Sequence, residues 1–179
     1  TDTIVNNESS EIIRMLNSEF NALAANPGLD LYPPAQRKQI DALNEWIYPG
    51  INNGVYRCGF AKKQAAYDRA FDELFDALDK VEAILAQQHW LCGENITEAD
   101  VRLFTTLVRF DAVYYSHFKC NLRRIQDYPG LDSFVKRVMS IDGIADTVNM
   151  DHIKDHYYQS HTSINPSGIV PRGPLLDFM

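Results

Sequence analysis

The chain of 179 residues is predicted to be all-α, from three observations. A helix-start signal, Thr97 followed three residues later by Asp100, opens a segment that is apolar most of the way round. Lys62 to Gln88 carries the longest helical pattern, with Tyr67, Phe71, Leu74, Phe75, Leu78, Val81 and Leu85 returning every three or four residues. Shorter stretches of the same period lie on either side, between Pro- and Gly-rich breaks.

The segment Ile96 to His117, ITEADVRLFTTLVRFDAVYYSH, is read as the central helix. The Thr97 hydroxyl accepts a first-turn amide while the Asp100 carboxylate turns back to the amide of Thr97, a capping box with Asp in place of Glu. Ile96 and Val101 are expected to close over the cap as a hydrophobic staple. Val101, Leu103, Phe104, Leu107, Val108, Phe110, Val113 and Tyr114 spread apolar groups beyond one stripe, so neighbours are expected on several sides. Arg102, Arg109 and Asp111 then need partners or solvent.

Hydrophobic residues make up 45% of the chain and charged residues 23%, an ordinary globular composition for one well-cored domain. The formal net charge is −7 and the isoelectric point about 5.1, which argues against a nucleic-acid partner. No apolar run approaches the roughly 20 residues of a spanning helix, and TDTIVNNESS has no signal-like core, so no membrane association and a cytoplasmic protein are expected. Cys58, Cys92 and Cys120 are far apart and form no CxxC, which supports neither a disulfide framework nor a zinc site.

In order, Thr3-Ile4-Val5 reads as a short strand with nothing nearby to pair with. Asn6 or Asn7 can cap a helix from about Glu8 that carries Ile12, Ile13, Leu16, Phe20 and Leu23 and ends at Asn26-Pro27-Gly28. Its first turn presents Glu8, Ser9 and Ser10 beside unpaired amides, a cradle for a carboxylate, although such residues also serve the cap and dipole alone. A second helix from about Ala35 carries Ile40, Leu43, Trp46 and Ile47, and Pro49-Gly50 interrupts it. The breaker-rich stretch to Ala61 includes Tyr56, a packed aromatic or a cavity-lining one.

Beyond the central helix, Leu131 to Met139 and Asp151 to Ser160 are again helical. The second places His152 and His156 at a spacing two metal ligands can use, but Ile153 stands where a zinc-protease pattern needs Glu, and no metal is expected. The tail from His161 is too apolar for a free linker and is read as an extended strap.

Five stretches together resemble the glutathionyl-hydroquinone reductases, the Xi class of glutathione transferases: TIVNNESSEIIRMLN (Thr3 to Asn17), WIYPGINNGVYRCGFA (Trp46 to Ala61), TEADVRLFTTLVRFDAVYYSHFKCN (Thr97 to Asn121), DHIKDHYYQSH (Asp151 to His161) and INPSGIVPRGP (Ile164 to Pro174). The resemblance implies a glutathione-transferase C-terminal-like helical bundle at residues 26–160. Before it, residues 1–25 would be the last strand and helix of a truncated thioredoxin-like domain; after it, residues 161–179 form the tail.

In that family a cysteine followed by proline at a helix start attacks the sulfur of a glutathionyl-hydroquinone, and a second glutathione resolves the mixed disulfide. Cys58 and Cys92 precede Gly, and Cys120 precedes Asn121, so none stands in for that nucleophile and no catalytic residue is expected in this chain. By resemblance Glu8 and Ser9 hold the γ-glutamyl end of glutathione, the co-substrate, and Tyr56 and Tyr157 face the quinol ring. The family also implies a homodimer. The alternative is a stand-alone, non-enzymatic helical module for dimerisation or partner binding, in which the apolar face of Ile12, Ile13 and Leu16 associates.

Overall fold

The computed structural model describes residues 3–178 as seven α-helices joined by short 3-10 and π turns, with no strand among the described residues. The helices are α1 (Ser9–Ser18), α2 (Arg37–Ile47), α3 (Gly54–Gly59), α4 (Gln64–Leu85), α5 (Glu98–Arg109), α6 (Pro129–Met139) and α7 (Met150–Ser160). The all-helical expectation holds, while the short strand at Thr3 to Val5 does not form. A strand needs a partner edge for its backbone, and Ile4 and Val5 stand open to solvent.

Helix α5 is the hub. The capping box closes at its start, where Asp100 Oδ2 accepts the backbone N–H and the hydroxyl of Thr97, both at 2.8 Å. The other oxygen, Oδ1, accepts the amide of Leu91 at 2.8 Å, so one buried carboxylate ties the preceding turn to the helix. Burial pushes the Asp100 pKa up against these donors. Leu103 and Leu107 are buried on the α5 face toward its neighbours. Val101, expected in the hydrophobic staple, is partly exposed and lines an open cleft.

Two helices widen rather than stop. Pro49 has no amide to give, and α2 continues through a π turn at Tyr48–Asn52, where the Asn53 N–H reaches the Tyr48 carbonyl at 2.8 Å. The Pro49-Gly50 break expected from sequence is thus a change of pitch. Helix α5 runs in the same way into a π turn at Phe110–Tyr114. Asn52 pins the first turn to α5, donating to the Arg102 carbonyl at 2.9 Å and to Thr106 at 2.7 Å.

The core lies between α2, α4, α5 and α6, with Ile40, Ile47, Leu74, Leu78, Val81, Leu103 and Phe134 closed to water. Helix α3 crosses closely over Phe118, and Gly59 provides the room: a Cβ there would stand 2.3 Å from the Phe118 ring. Helix α1 differs from the rest, because none of its residues is buried. It ends at Ser18, well short of the Asn26-Pro27-Gly28 stop, and Phe20 and Leu23 continue in a 3-10 turn exposed to solvent. The tail lies as an extended strap, held by Lys154 Nζ to the Arg172 carbonyl at 3.0 Å, by Lys136 to Asp177 at 2.7 Å, and by Val170 and Phe178 packed on the core. No helix among the described residues is long and apolar enough to cross a membrane.

Candidate functional site

A cleft of about 690 Å³ opens between the start of α1, the π turn after α2, α3, α5 and α7. Three tyrosine hydroxyls meet in its wall. Tyr157 lies 2.5 Å from Tyr56 and 2.7 Å from Tyr114, oxygen to oxygen. Each comes from a different element. Tyr56 is carried by α3, Tyr114 ends the π turn that follows α5, and Tyr157 lies on the buried face of α7. Asn149 caps α7 by accepting the His152 amide at 3.0 Å, and Tyr158 anchors it, its hydroxyl lying 3.2 Å from the Ala112 carbonyl and 2.6 Å from Ser116 Oγ.

Burial assigns the protons of the three phenols. Each hydroxyl has one proton to give, and because Tyr157 is itself buried, the arrangement that keeps its proton paired has it accept from one partner and donate to the other. Tyr114 is 2% exposed and Tyr56 is 36% exposed. Tyr114 is the more enclosed of the two, so the order that leaves the unshared proton on the more open phenol has Tyr114 donating to Tyr157 and Tyr157 donating to Tyr56. The chain ends on the Tyr56 proton, which is free to meet a ligand oxygen in the cleft. Burial raises the pKa of both Tyr114 and Tyr157, that of Tyr157 to about 12, so both stay protonated donors at neutral pH.

Ser9 and Ser10 line the same cleft. Glu8 does not. It caps α1 with its backbone, accepting the Glu11 and Ile12 amides at 3.0 Å and donating its own N–H to Asn6 Oδ1 at 2.8 Å, while its side chain is exposed. The structure thus brings Ser9, Tyr56 and Tyr157 to one cavity and places Glu8 at its edge. Thr97 and Asp100 lie in the α5 cap, away from the cleft lining. His152 and His156 line the cleft, but among the described residues no group of three or more His, Cys, Asp or Glu gathers to hold a metal ion. Cys58, Cys92 and Cys120 are buried, and none lines the cleft.

Sequence reasoning passed over Tyr114, which it counted among apolar residues, and over Arg102 and Arg109 as cleft residues. The one available signal was the charge of the two arginines in an otherwise apolar segment. Helix α1 is fastened beside the cleft by another residue it passed over, Glu98. The Glu98 carboxylate is buried and accepts Arg14 Nε at 2.7 Å and Asn44 Nδ2 at 3.2 Å. Asn17 adds a second tie, its Oδ1 accepting the Leu31 amide at 2.8 Å.

Residues 64–137, from the start of α4 through most of α6, match the family model of the glutathione S-transferase C-terminal domain. The chain is 55% identical over 175 residues to the glutathionyl-hydroquinone reductase YqjG of Escherichia coli, covering 98% of this chain and 53% of that protein. It is 57% identical to the reductase PcpF of Sphingobium chlorophenolicum over 96% of this chain and 54% of that one. The glutathione-bound structure of YqjG superposes with a TM-score of 0.94 over 98% of this chain and 57% of that chain. The Xi transferase of Phanerochaete chrysosporium, 52% identical, superposes equally well over 99% of this chain and 61% of that one. Over nearly its whole length the chain is similar to the glutathionyl-hydroquinone reductases and to Xi-class glutathione transferases. It spans about half the length of the curated relatives it matches.

Proposed function

We propose that this chain is the quinol-binding wall, and part of the glutathione site, of an enzyme that removes glutathione from glutathionyl-hydroquinones. The observation that carries the reading is the chain of phenols from Tyr114 through Tyr157 to Tyr56 in the cleft that Ser9 also lines. A hydroquinone oxygen accepts the Tyr56 proton while its ring packs on aromatic neighbours. The start of α1 offers Ser9 and unpaired amides to a glutathione carboxylate, and Glu8 is near enough to the helix start to meet an amino group.

The nucleophile belongs to a thioredoxin-like domain, of which residues 1–25 are the last part. Two features support this. None of the three cysteines lines the cleft, and Ile12, Ile13 and Leu16 on α1, with Phe20 just beyond it, stand exposed where such a domain would cover them. In the reaction the cysteine thiolate bonds to the sulfur of the conjugate. The carbon–sulfur bond breaks, its electron pair goes to the ring, and a proton completes the free hydroquinone. A second glutathione thiol then exchanges with the mixed disulfide, giving oxidised glutathione and the restored cysteine. When the conjugate reacts as its keto tautomer, with the sulfur-bearing carbon sp3, the electron pair becomes an enolate, and the Tyr56 hydroxyl stabilises the charge that builds on its oxygen.

The full-length protein, given glutathione and a glutathionyl-hydroquinone, is expected to release one hydroquinone for each oxidised glutathione formed. Absence of turnover with the complete chain overturns the reading. The exposed α1 face favours one other reading, a non-enzymatic module that self-associates through it. Concentration-dependent sedimentation that Leu16→Glu abolishes, together with no turnover, would establish that reading instead.

A further inference from the structure

The cleft departs from the charge of the chain around it. The protein carries a net −7, yet among the described residues no Asp or Glu lines the cleft, while Arg102, Arg109, His152 and His156 do. Arg102 is already neutralised, with Nη1 3.4 Å from Glu98 Oε1 and its guanidinium 5.7 Å from the centre of the Tyr48 ring. Arg109 is different. Its Nη1 donates to the Thr105 carbonyl, a neutral acceptor one turn back, and among the described residues it forms no ion pair. Most of its N–H fork remains unused. It lines the same cleft as Tyr56, Tyr114 and Tyr157.

We infer that Arg109 is the receptor for a carboxylate on the ring of the aromatic substrate, and that the cleft selects ring-carboxylated hydroquinones over neutral ones. The inference rests on the reading of this cleft as the quinol site and adds to it the charge class of the substrate. A guanidinium fork matches a carboxylate in plane and spacing, and it does so best where water is partly excluded. The Tyr56 proton fixes one ring oxygen, and the substituent beside that oxygen is the group that meets the arginine in the same cleft. The carboxylates of glutathione are the other source of negative charge, but the α1 start and Ser9 already offer them donors.

Calorimetry on the full-length protein tests this with 2,5-dihydroxybenzoate, hydroquinone and glutathione as separate probes. Dihydroxybenzoate is expected to bind about tenfold or more tightly than hydroquinone, a typical advantage for a charge-assisted pair. Arg109→Met should abolish that preference, and Arg109→Lys, which keeps the charge without the fork, should restore part of it. Equal binding of the two rings by the wild type overturns the inference. So does an Arg109→Met loss that falls on glutathione as heavily as on dihydroxybenzoate.

The ratio of kcat/KM for the glutathione conjugates of the same two rings should fall about tenfold in Arg109→Met, the kinetic form of the same pairing. If neither conjugate is turned over but the binding preference and its dependence on Arg109 persist, the reductase reading fails and the anion site stands. If both are turned over with a ratio the variant does not change, the anion site fails and the reductase reading stands.

Discussion

Arg14 Nε lies 2.7 Å from Glu98 Oε2, joining a helix with no buried residue to the buried start of α5. The guanidinium also pairs with Asp41 at 2.7 Å and lies 3.8 Å over the Tyr32 ring, so α1 is held by charge and stacking where it lacks a buried apolar face. Glu98→Ala removes the shared acceptor and leaves Arg14, Arg102 and Asn44 facing an apolar methyl. A loss of about 2 kcal/mol is expected in urea denaturation, below the full penalty for a buried pair because Arg14 is half exposed. Amide exchange should quicken in α1 more than in α5. Exchange that rises equally in both helices would mean that Glu98 serves α5 alone.

This tie, like much of the site, was hidden from the sequence because its partners are 84 residues apart. The same holds for Glu82 of α4, whose two oxygens accept the Gly130 and Leu131 amides at 2.8 Å and so cap α6 from another helix. What was legible was local. Thr97 and Asp100 are three residues apart and find each other on any helix. The period of Leu74, Leu78, Val81 and Leu85 fixes one face of α4 wherever it packs. Tyr56 and Tyr157 stood out through family resemblance, not through any pattern of their own. Tyr114 did not, since a phenol among Phe110, Val113 and Phe118 reads as core until its hydroxyl is seen to meet another. The π turns leave no mark on periodicity, so Pro49 read as a break.

Gly59 sets how closely α3 approaches Phe118. A methyl there would overlap the ring at 2.3 Å, and Phe118 has no free side to move to, being stacked on Tyr114 at 5.4 Å and on His117 at 5.2 Å between ring centres. Gly59→Ala is expected to cost about 2 to 3 kcal/mol through overpacking, read as a lowered melting temperature, even though Ala is the better helix former. A melting temperature equal to or above that of the wild type would show that α3 can shift freely.

His117 gives the fold an acid-side weakness. It is buried with Nε2 3.2 Å from His161 Nδ1, and burial first, then the neighbouring imidazole and Lys119, push its pKa down to about 4. The folded pKa lies below the unfolded value of about 6.5, so the unfolded chain takes up the proton first. This contribution is intact above about pH 6.5 and is lost as pH falls from there toward 4, by about 2 to 3 kcal/mol in total. Asp100, with its raised pKa, acts in the opposite direction and is common to wild type and variant. Urea titrations across this window should show a shallower decline for His117→Gln than for the wild type. Parallel slopes would place the acid sensitivity elsewhere.

The order of protons through the tyrosines ranks three substitutions in the complete enzyme. Tyr56→Phe removes the donor that faces the ligand and should lower kcat/KM for a glutathionyl-hydroquinone by about 100 to 1,000-fold, the range for one donor to a developing oxyanion. Tyr157→Phe leaves Tyr56 in place but takes away the donor that polarises it, so a smaller loss of about 10-fold is expected. Tyr114→Phe leaves Tyr157 donating to Tyr56 and removes only the far end of the chain. Its effect should fall mainly on stability, at about 1 kcal/mol for one hydrogen bond. All three should leave the affinity for glutathione within about twofold, because none of the three hydroxyls belongs to the α1 start, where charge-assisted donors supply that binding. The ranking depends on direction. If Tyr157 donated to Tyr114 instead, the free proton would sit on Tyr114, and Tyr114→Phe would be the most damaging of the three.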